Sequence, residues 1–332
     1  MEKMKVLAFC ADAEDKDSYE KYGEGLLEVD TEPRALTAEN AELVKGYEAV
    51  IILTRCFITG ELARKLAEYG VRYVLTRSAG YDHMDIKAIR QAGLRAANVA
   101  LYSPNAISEH VCMTALMMIR NMKRQLRMIS DGDYSLKGIK GRELRKMTVG
   151  IVGAGRIGFE TIKIFRSFTP DLLVYDMIER NDVKEYASYV SLEELYERSD
   201  MIIYHCPLTE ENYHMVNEKT IAGMKEGVIL INPARGGLWD YKAVYENLKT
   251  GRIGSVAFDV YETEKNYLRR QVPPEELKDE VLTGLIRHER AIYTAHSAFF
   301  TDAAIENMFE VTAKNLLEYR KKGSCGNELT DR

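Results

Sequence analysis

The chain has 332 residues, room for about two domains with a core each. Its 46 Lys and Arg against 51 Asp and Glu give a net charge of −5 with both signs scattered; there is no broad basic face, and nucleic acid is not an expected partner. No apolar run approaches the ~20 residues that span a bilayer, and Met1 leads directly into strand-like sequence, so the expectation is a cytoplasmic protein with no membrane partner.

In chain order, strand-length apolar runs fall near Val6–Cys10, Leu26–Val29, Val50–Leu53, Tyr73–Leu75 and Arg95–Asn98. Helix-period segments lie between them, such as Glu61–Tyr69, which ends at Gly70. Ser103-Pro104 then supplies an N-cap and a proline suited to the first helical position, and the helical pattern runs to about Ser130. From Val111 to Ile119 only Thr114 is polar, so this helix is buried on several sides. It is either a core helix between two domains or one that also packs on a second subunit, which makes a homodimer the expected assembly. A second strand series follows at Thr148–Val152, Leu172–Tyr175, Met201–His205, Val228–Ile231, Val256–Phe258 and Ala291–Thr294. Strands alternating with helices predict an α/β protein of two doubly wound parallel-sheet domains, Rossmann-like or flavodoxin-like. Five cysteines without CxxC or zinc spacing are read as reduced residues, with no metal site.

The strand Thr148–Val152 runs into Gly153-Ala154-Gly155-Arg156-Ile157-Gly158, and helical sequence follows from Phe159 to Phe168. Gly153 permits a tight turn, Gly155 lets backbone approach a pyrophosphate, and Gly158 lets the helix pack closely on the strand. The next strand ends in Asp176, about 20 residues on, where a carboxylate accepts hydrogen bonds from ribose hydroxyls. That carboxylate disfavours a 2′-phosphate, although Arg180 partly offsets it, so NAD is the expected cofactor. His205, Pro207 and Asn212 after the following strand, and Pro233 after the one beyond, are also placed at the cofactor.

Three further segments end strands of the second series. Asn232-Pro233-Ala234-Arg235-Gly236-Gly237 sets an arginine among small residues, and its planar fork suits the carboxylate and carbonyl of a 2-oxo acid. Asp259-Val260-Tyr261-Glu262-Thr263-Glu264 offers three carboxylates. Thr294-Ala295-His296-Ser297 offers a histidine, the natural proton donor to a carbonyl oxygen that receives hydride, whose tautomer a neighbouring carboxylate fixes.

With these four motifs in this order, the chain from Val6 to about Leu317 resembles the D-isomer-specific 2-hydroxyacid dehydrogenases, in the branch of D-lactate, D-2-hydroxyisocaproate and aromatic-lactate dehydrogenases. The resemblance implies that His296 is the acid/base, Glu264 its partner with Glu262 the nearby rival, Arg235 the substrate anchor, and Asp259 a carboxylate near the nicotinamide. It also implies that Ala79 and Gly80 of Ser78–Asp82 offer backbone amides to the substrate carboxylate, and that Tyr102 borders the substrate. The expected architecture is a substrate domain of residues 1–101 with 300–332 and an NAD domain of 102–299, with the active site in the cleft between them.

Formate dehydrogenases of this fold need a glutamine beside the histidine, which Glu264 replaces, and phosphoglycerate dehydrogenases often append a regulatory domain for which the chain after His296 is too short. An NAD-sensing corepressor built on the same fold is the rival of another class, since fold alone does not decide function. Within the resemblance, Leu53 stands where D-lactate dehydrogenases carry a bulky aromatic. The smaller leucine, bordered by Tyr102 and Phe299, leaves volume for a bulky apolar or aromatic substrate side chain, as in phenylpyruvate or 2-oxoisocaproate, with pyruvate the alternative.

Overall fold

A computed structural model describes residues 2–100, 102–268 and 270–331. The chain divides into two units, Met1–Ser103 with Phe300–Arg332, and Pro104–Phe299. Tyr102 and Ser103 therefore belong with the first unit, a small shift from the expected border.

In the first unit, β1 (Met4–Phe9), β2 (Leu27–Glu32), β3 (Ala49–Ile52), β4 (Tyr73–Thr76) and β5 (Arg95–Ala97) form one parallel sheet in the order β2-β1-β3-β4-β5. Every residue of β3 and β4 is buried, as continuous apolar runs in a sheet covered on both faces must be. Strand alternation sends Leu7, Val50, Ile52 and Val74 to one core with Leu62, Leu66 and Ile89, which lie on the helices Gly60–Glu68 and Ile86–Gln91. Val6, Ala8, Ile51 and Leu75 go to the other core, with Tyr19, Phe309, Leu316 and Tyr319. The last three lie on the helix Asp302–Lys322, which begins at a Thr301 side-chain cap and stops at Gly323, whose φ of 71° is left-handed. The end of the chain thus completes the core begun by its start.

The second unit holds β6 (Val149–Val152), β7 (Leu172–Tyr175), β8 (Ser188–Tyr189), β9 (Met201–Tyr204), β10 (Val228–Asn232), β11 (Ile253–Phe258) and β12 (Ala291–Tyr293). All pair in parallel, in the order β12-β11-β10-β9-β6-β7-β8. β8 has no counterpart in the sequence reading because two residues, neither fully buried, make no apolar run. Strand order reverses between β1 and β3 in one sheet and between β6 and β9 in the other, and ligand crevices open at the carboxyl ends beside such reversals.

The helix expected to run from Pro104 to Ser130 is two helices, Pro104–Ile119 and Met122–Ser130. Asn121 breaks it with a φ of 52°, a left-handed conformation that asparagine tolerates better than most residues. The apolar stretch is largely consumed inside the unit, where Val111, Ala115, Met118 and Ile119 are buried. The second helix has no buried residue and leaves Leu126 and Ile129 exposed, as are Tyr134 and Leu136 just beyond it. Among the described residues no helix is long and apolar enough to cross a membrane.

Candidate active site

At the β6–β9 reversal the glycine-rich turn has the geometry its sequence requires. Gly153 has a φ of 98°, and a Cβ there would lie 2.7 Å from the backbone of His205 and Cys206, so only glycine fits. A Cβ on Gly158 would strike the Gly153 carbonyl oxygen, whereas Gly155 faces open space. Gly155 caps the helix Arg156–Arg166 without any side-chain acceptor, leaving the donors of the first turn to a ligand, and with the helix dipole they suit a pyrophosphate. Asp176, following β7, accepts from Ala154 N–H at 2.6 Å and from Ile178 N–H at 3.0 Å. Its carboxylate is fixed beside the turn with lone pairs left for ribose hydroxyls. Arg180 donates to the Ala154 carbonyl at 3.1 Å and to Asp182, so it too is anchored near this turn. These residues fit a dinucleotide.

The other residues expected at the cofactor lie in the helix after the turn and in the segments that follow β9 and β10. Thr161 gives its hydroxyl hydrogen to Ser108, so its oxygen accepts from His205 Nε2–H at 2.9 Å. Burial lowers the His205 pKa to about 3 and keeps the ring neutral. Ile157 offers its carbonyl to Ser108, and Arg156 is exposed at the helix start. Asn212 folds its own loop, accepting from Thr209 N–H and donating to the carbonyl of exposed Pro207. Half-buried Pro233 continues from β10.

The expected acid/base residue and its partner lie beyond the carboxyl ends of β12 and β11. His296 Nδ1 lies 2.6 Å from Glu264 Oε1, and Glu264 Oε2 accepts from Tyr261 N–H at 2.8 Å. A carboxylate acceptor puts the proton on Nδ1, which makes Nε2 the acceptor nitrogen of the neutral ring. Glu262 points elsewhere, accepting from Tyr213 at 2.6 Å and pairing with His214 at 3.2 Å. Ala295 and His296 are consecutive left-handed residues, with φ of 49° and 56°, a costly conformation outside glycine.

Asp259 supplies the restraint for that loop. Only 3% exposed, it accepts at one oxygen from Thr294 Oγ1 at 2.5 Å and Ser297 N–H at 2.8 Å, and at the other from Ala298 N–H at 3.0 Å. Its own carbonyl takes His296 N–H at 2.5 Å. Thr294, having given its hydrogen to Asp259, accepts from His110 Nε2–H at 3.1 Å. Burial lowers the His110 pKa and favours that neutral donor.

Arg235 is half-buried, and its Nη1 donates to the Ala234 carbonyl at 2.8 Å. Buried Asn232 shapes the turn beneath it, accepting from Ala234 N–H at 3.0 Å and donating to the Arg235 carbonyl at 2.9 Å. A Cβ on Gly236 would come within 2.5 Å of Glu262 N and Tyr261 C, so the glycine lets the arginine turn rest against the chain that carries Glu264. Tyr241 clamps the same chain by donating to the Val260 carbonyl at 2.5 Å, and Tyr261 donates to Asp279 at 3.1 Å. Sequence reasoning missed Asn232, Thr294, His110, Tyr241 and Asp279 as supports; the first two lie inside motifs it quoted. Phe299 stands edge-on to the His296 ring at 6.4 Å between centroids.

The remaining expected residues lie on the first unit. Ser78 Oγ donates to the Gly80 carbonyl at 2.7 Å and therefore accepts from Thr76 Oγ1 at 2.8 Å; Thr76 in turn accepts from His83 Nε2–H at 3.0 Å. Asn98 Nδ2 donates to the Ala79 carbonyl at 2.7 Å. With both carbonyls tied down, the N–H groups of Ala79 and Gly80 donate to no acceptor among the described residues. Leu53 is half-exposed just beyond β3, and Tyr102 is half-buried.

Residues 112–298 match the family described as D-isomer specific 2-hydroxyacid dehydrogenase, NAD binding domain. Over 330 residues, 98% of this chain and 99% of the relative, the chain is 39% identical to an aromatic 2-oxoacid reductase of Clostridium sporogenes. A D-lactate dehydrogenase structure from Treponema pallidum superimposes with a TM-score of 0.89 at 34% identity, covering 98% of this chain and 99% of that one. A D-lactate dehydrogenase from Aquifex aeolicus, solved with NAD and lactic acid, gives 0.86 at 30% identity over 98% and 99% of the two chains. The chain belongs to the D-isomer-specific 2-hydroxyacid dehydrogenase family and is an NAD-dependent oxidoreductase of that family.

Proposed function

We propose that the protein reduces 2-oxo acids with a bulky apolar or aromatic side chain, such as phenylpyruvate or 2-oxoisocaproate, in preference to pyruvate, and oxidises the matching D-2-hydroxy acids in reverse. Bound NADH supplies the hydride. Arg235 holds the substrate carboxylate and polarises the neighbouring carbonyl, and protonated His296 delivers from Nε2 to the oxygen. Neutral His296 takes that proton back in oxidation. Glu264 fixes the ring's tautomer and orientation, and Asp259 holds the loop that presents it. The first unit is the substrate domain, with the amides of Ala79 and Gly80 meeting the substrate carboxylate and Leu53, Tyr102 and Phe299 bordering its side chain. The observation that carries the reaction is the 2.6 Å bond between His296 Nδ1 and Glu264.

The preference for a large side chain rests on half-exposed Leu53, a modest side chain at the carboxyl edge of β3, and on the aromatic 2-oxoacid activity named for the Clostridium sporogenes relative. A steady-state panel of 2-oxo acids with NADH tests it. Phenylpyruvate or 2-oxoisocaproate should exceed pyruvate in kcat/KM, by the ~1–3 kcal/mol that a buried methylene typically contributes to discrimination. Leu53→Tyr should shift preference toward pyruvate; a wild type that already prefers pyruvate refutes the assignment. Exposed Leu126, Ile129, Tyr134 and Leu136 support a homodimer, checked by sedimentation at micromolar concentration, and five free cysteines suit the reducing cytoplasm.

A further inference from the structure

Cys10 follows β1 and Cys56 follows β3, the adjacent strands between which the first sheet reverses its order. Far apart in sequence, their Sγ atoms lie 3.7 Å apart. Both cysteines are held by backbone contacts. Cys10 has a left-handed φ of 55°, and its N–H donates to the Arg34 carbonyl at 3.1 Å. The Cys56 N–H donates to the Leu53 carbonyl at 2.8 Å, closing a turn, and its sulfur accepts from Leu36 N–H at 3.3 Å. Cys10 is half-buried, whereas Cys56 is fully buried.

The two thiols also differ chemically. The Cys56 thiol and the charges of Arg55 and Arg77 lower the Cys10 pKa to about 7, against the effect of burial. Cys56 is pushed up by the thiol of Cys10 and by burial. Burial likewise raises Cys112, Cys325 and, to about 11, Cys206. A half-buried cysteine inclined to the thiolate beside a fully buried protonated one is the arrangement of an attacking and a resolving cysteine.

We propose that Cys10 and Cys56 form an oxidisable dithiol whose co-reactant is a small hydroperoxide. The Cys10 thiolate attacks a peroxide oxygen, the O–O bond breaks, and the departing hydroxide takes a proton and leaves as water. Cys10 is then a sulfenic acid. The Cys56 sulfur attacks it, the S–O bond breaks, and the Cys56 proton leaves with that oxygen as a second water. Two thiols have lost two electrons and two protons, and hydrogen peroxide has become two waters. Closing the pair from 3.7 Å to the about 2.05 Å of a disulfide draws Cys56 toward Cys10, and with it the turn that begins at Leu53. Oxidation then alters the fit of the substrate side chain, a consequence that rests on the role given to Leu53 above.

The test treats the full-length protein with stoichiometric hydrogen peroxide, quenches with catalase, and maps peptides without reduction. Loss of two of the five thiols, recovered as a Cys10–Cys56 linked peptide and reversed by dithiothreitol, is the expected result. Cys56→Ser should accumulate a Cys10 sulfenic acid trapped by dimedone, and Cys10→Ser should give neither product. Absence of the linked peptide, or dimedone labelling at Cys112, Cys206 or Cys325 ahead of Cys10, overturns the dithiol. None of these readouts requires turnover, so they stand apart from the substrate assignment. In kinetics, the oxidised protein should show KM for its 2-oxo acid raised about threefold or more with a smaller change in kcat; an unchanged KM overturns the coupling through Leu53.

Discussion

The two units prepare chemistry in opposite ways. In the second, the proposed reacting groups are side chains, and the loop that carries His296 is held through its backbone N–H groups by Asp259. In the first, the groups offered are backbone N–H donors, and side chains do the restraining through the relay from His83 to the Gly80 carbonyl. Substitution in the second unit therefore removes a reacting group outright, whereas in the first it loosens a shape. The largest effect should come from His296→Asn, which removes the proposed proton donor and should lower kcat by at least ~10²-fold with the fold intact. A tenfold or smaller loss would mean that proton delivery lies elsewhere. Arg235→Gln should raise KM and lower kcat together, because the guanidinium serves both ground and transition states.

The two neighbouring glutamates sharpen the comparison within a single loop. Glu264→Gln replaces the carboxylate that accepts from His296 Nδ1–H and should lower kcat, because the ring loses the partner that fixes its tautomer and orientation. Glu262→Gln should leave kcat close to the wild-type value, because Glu262 engages Tyr213 and His214 instead. Equal losses in both variants would place the control of His296 in the general field of the loop.

This asymmetry also governs what could be read from the chain alone. The glycine-rich turn, Asp176, Arg235, Glu264 and His296 are side chains, or absences of one, set at strand ends, and such residues leave a pattern in sequence. The break at Asn121 left none, because apolar spacing continues across it and a single left-handed residue has no periodic signature. Nor did the relay from His83 to Ser78, whose members are ordinary polar residues until the turn brings them together. Cys10 and Cys56 met the same limit: only strand order makes them neighbours.

A smaller effect is expected at the cofactor turn. Asp176→Ala removes the carboxylate that prefers hydroxyls to a 2′-phosphate, and with Arg180 already anchored nearby the preference for NADH over NADPH should narrow. Wild-type kcat/KM values that are equal for the two cofactors would show that Asp176 does not discriminate.

A further expected change lies in stability rather than catalysis, at His83. Burial lowers its pKa from 6.5 to about 4 in the fold, so the ring stays neutral where an unfolded chain would take up a proton. Above pH 6.5 both states are neutral and the group has no pH-dependent effect. As pH falls from 6.5 toward 4 the unfolded state binds the proton first, and stability declines by an amount on the order of 3 kcal/mol, levelling off below the folded value. His83→Gln keeps an N–H donor for Thr76 and cannot titrate. Urea midpoints taken across this range should therefore fall less steeply for the variant than for the wild type, while KM near neutral pH changes little because the donor that shapes the Ala79–Gly80 turn survives. Parallel midpoint curves would show that the ring is already protonated in the fold. The relay would then run from a charged donor, and the turn would be held by charge as the His296 loop is.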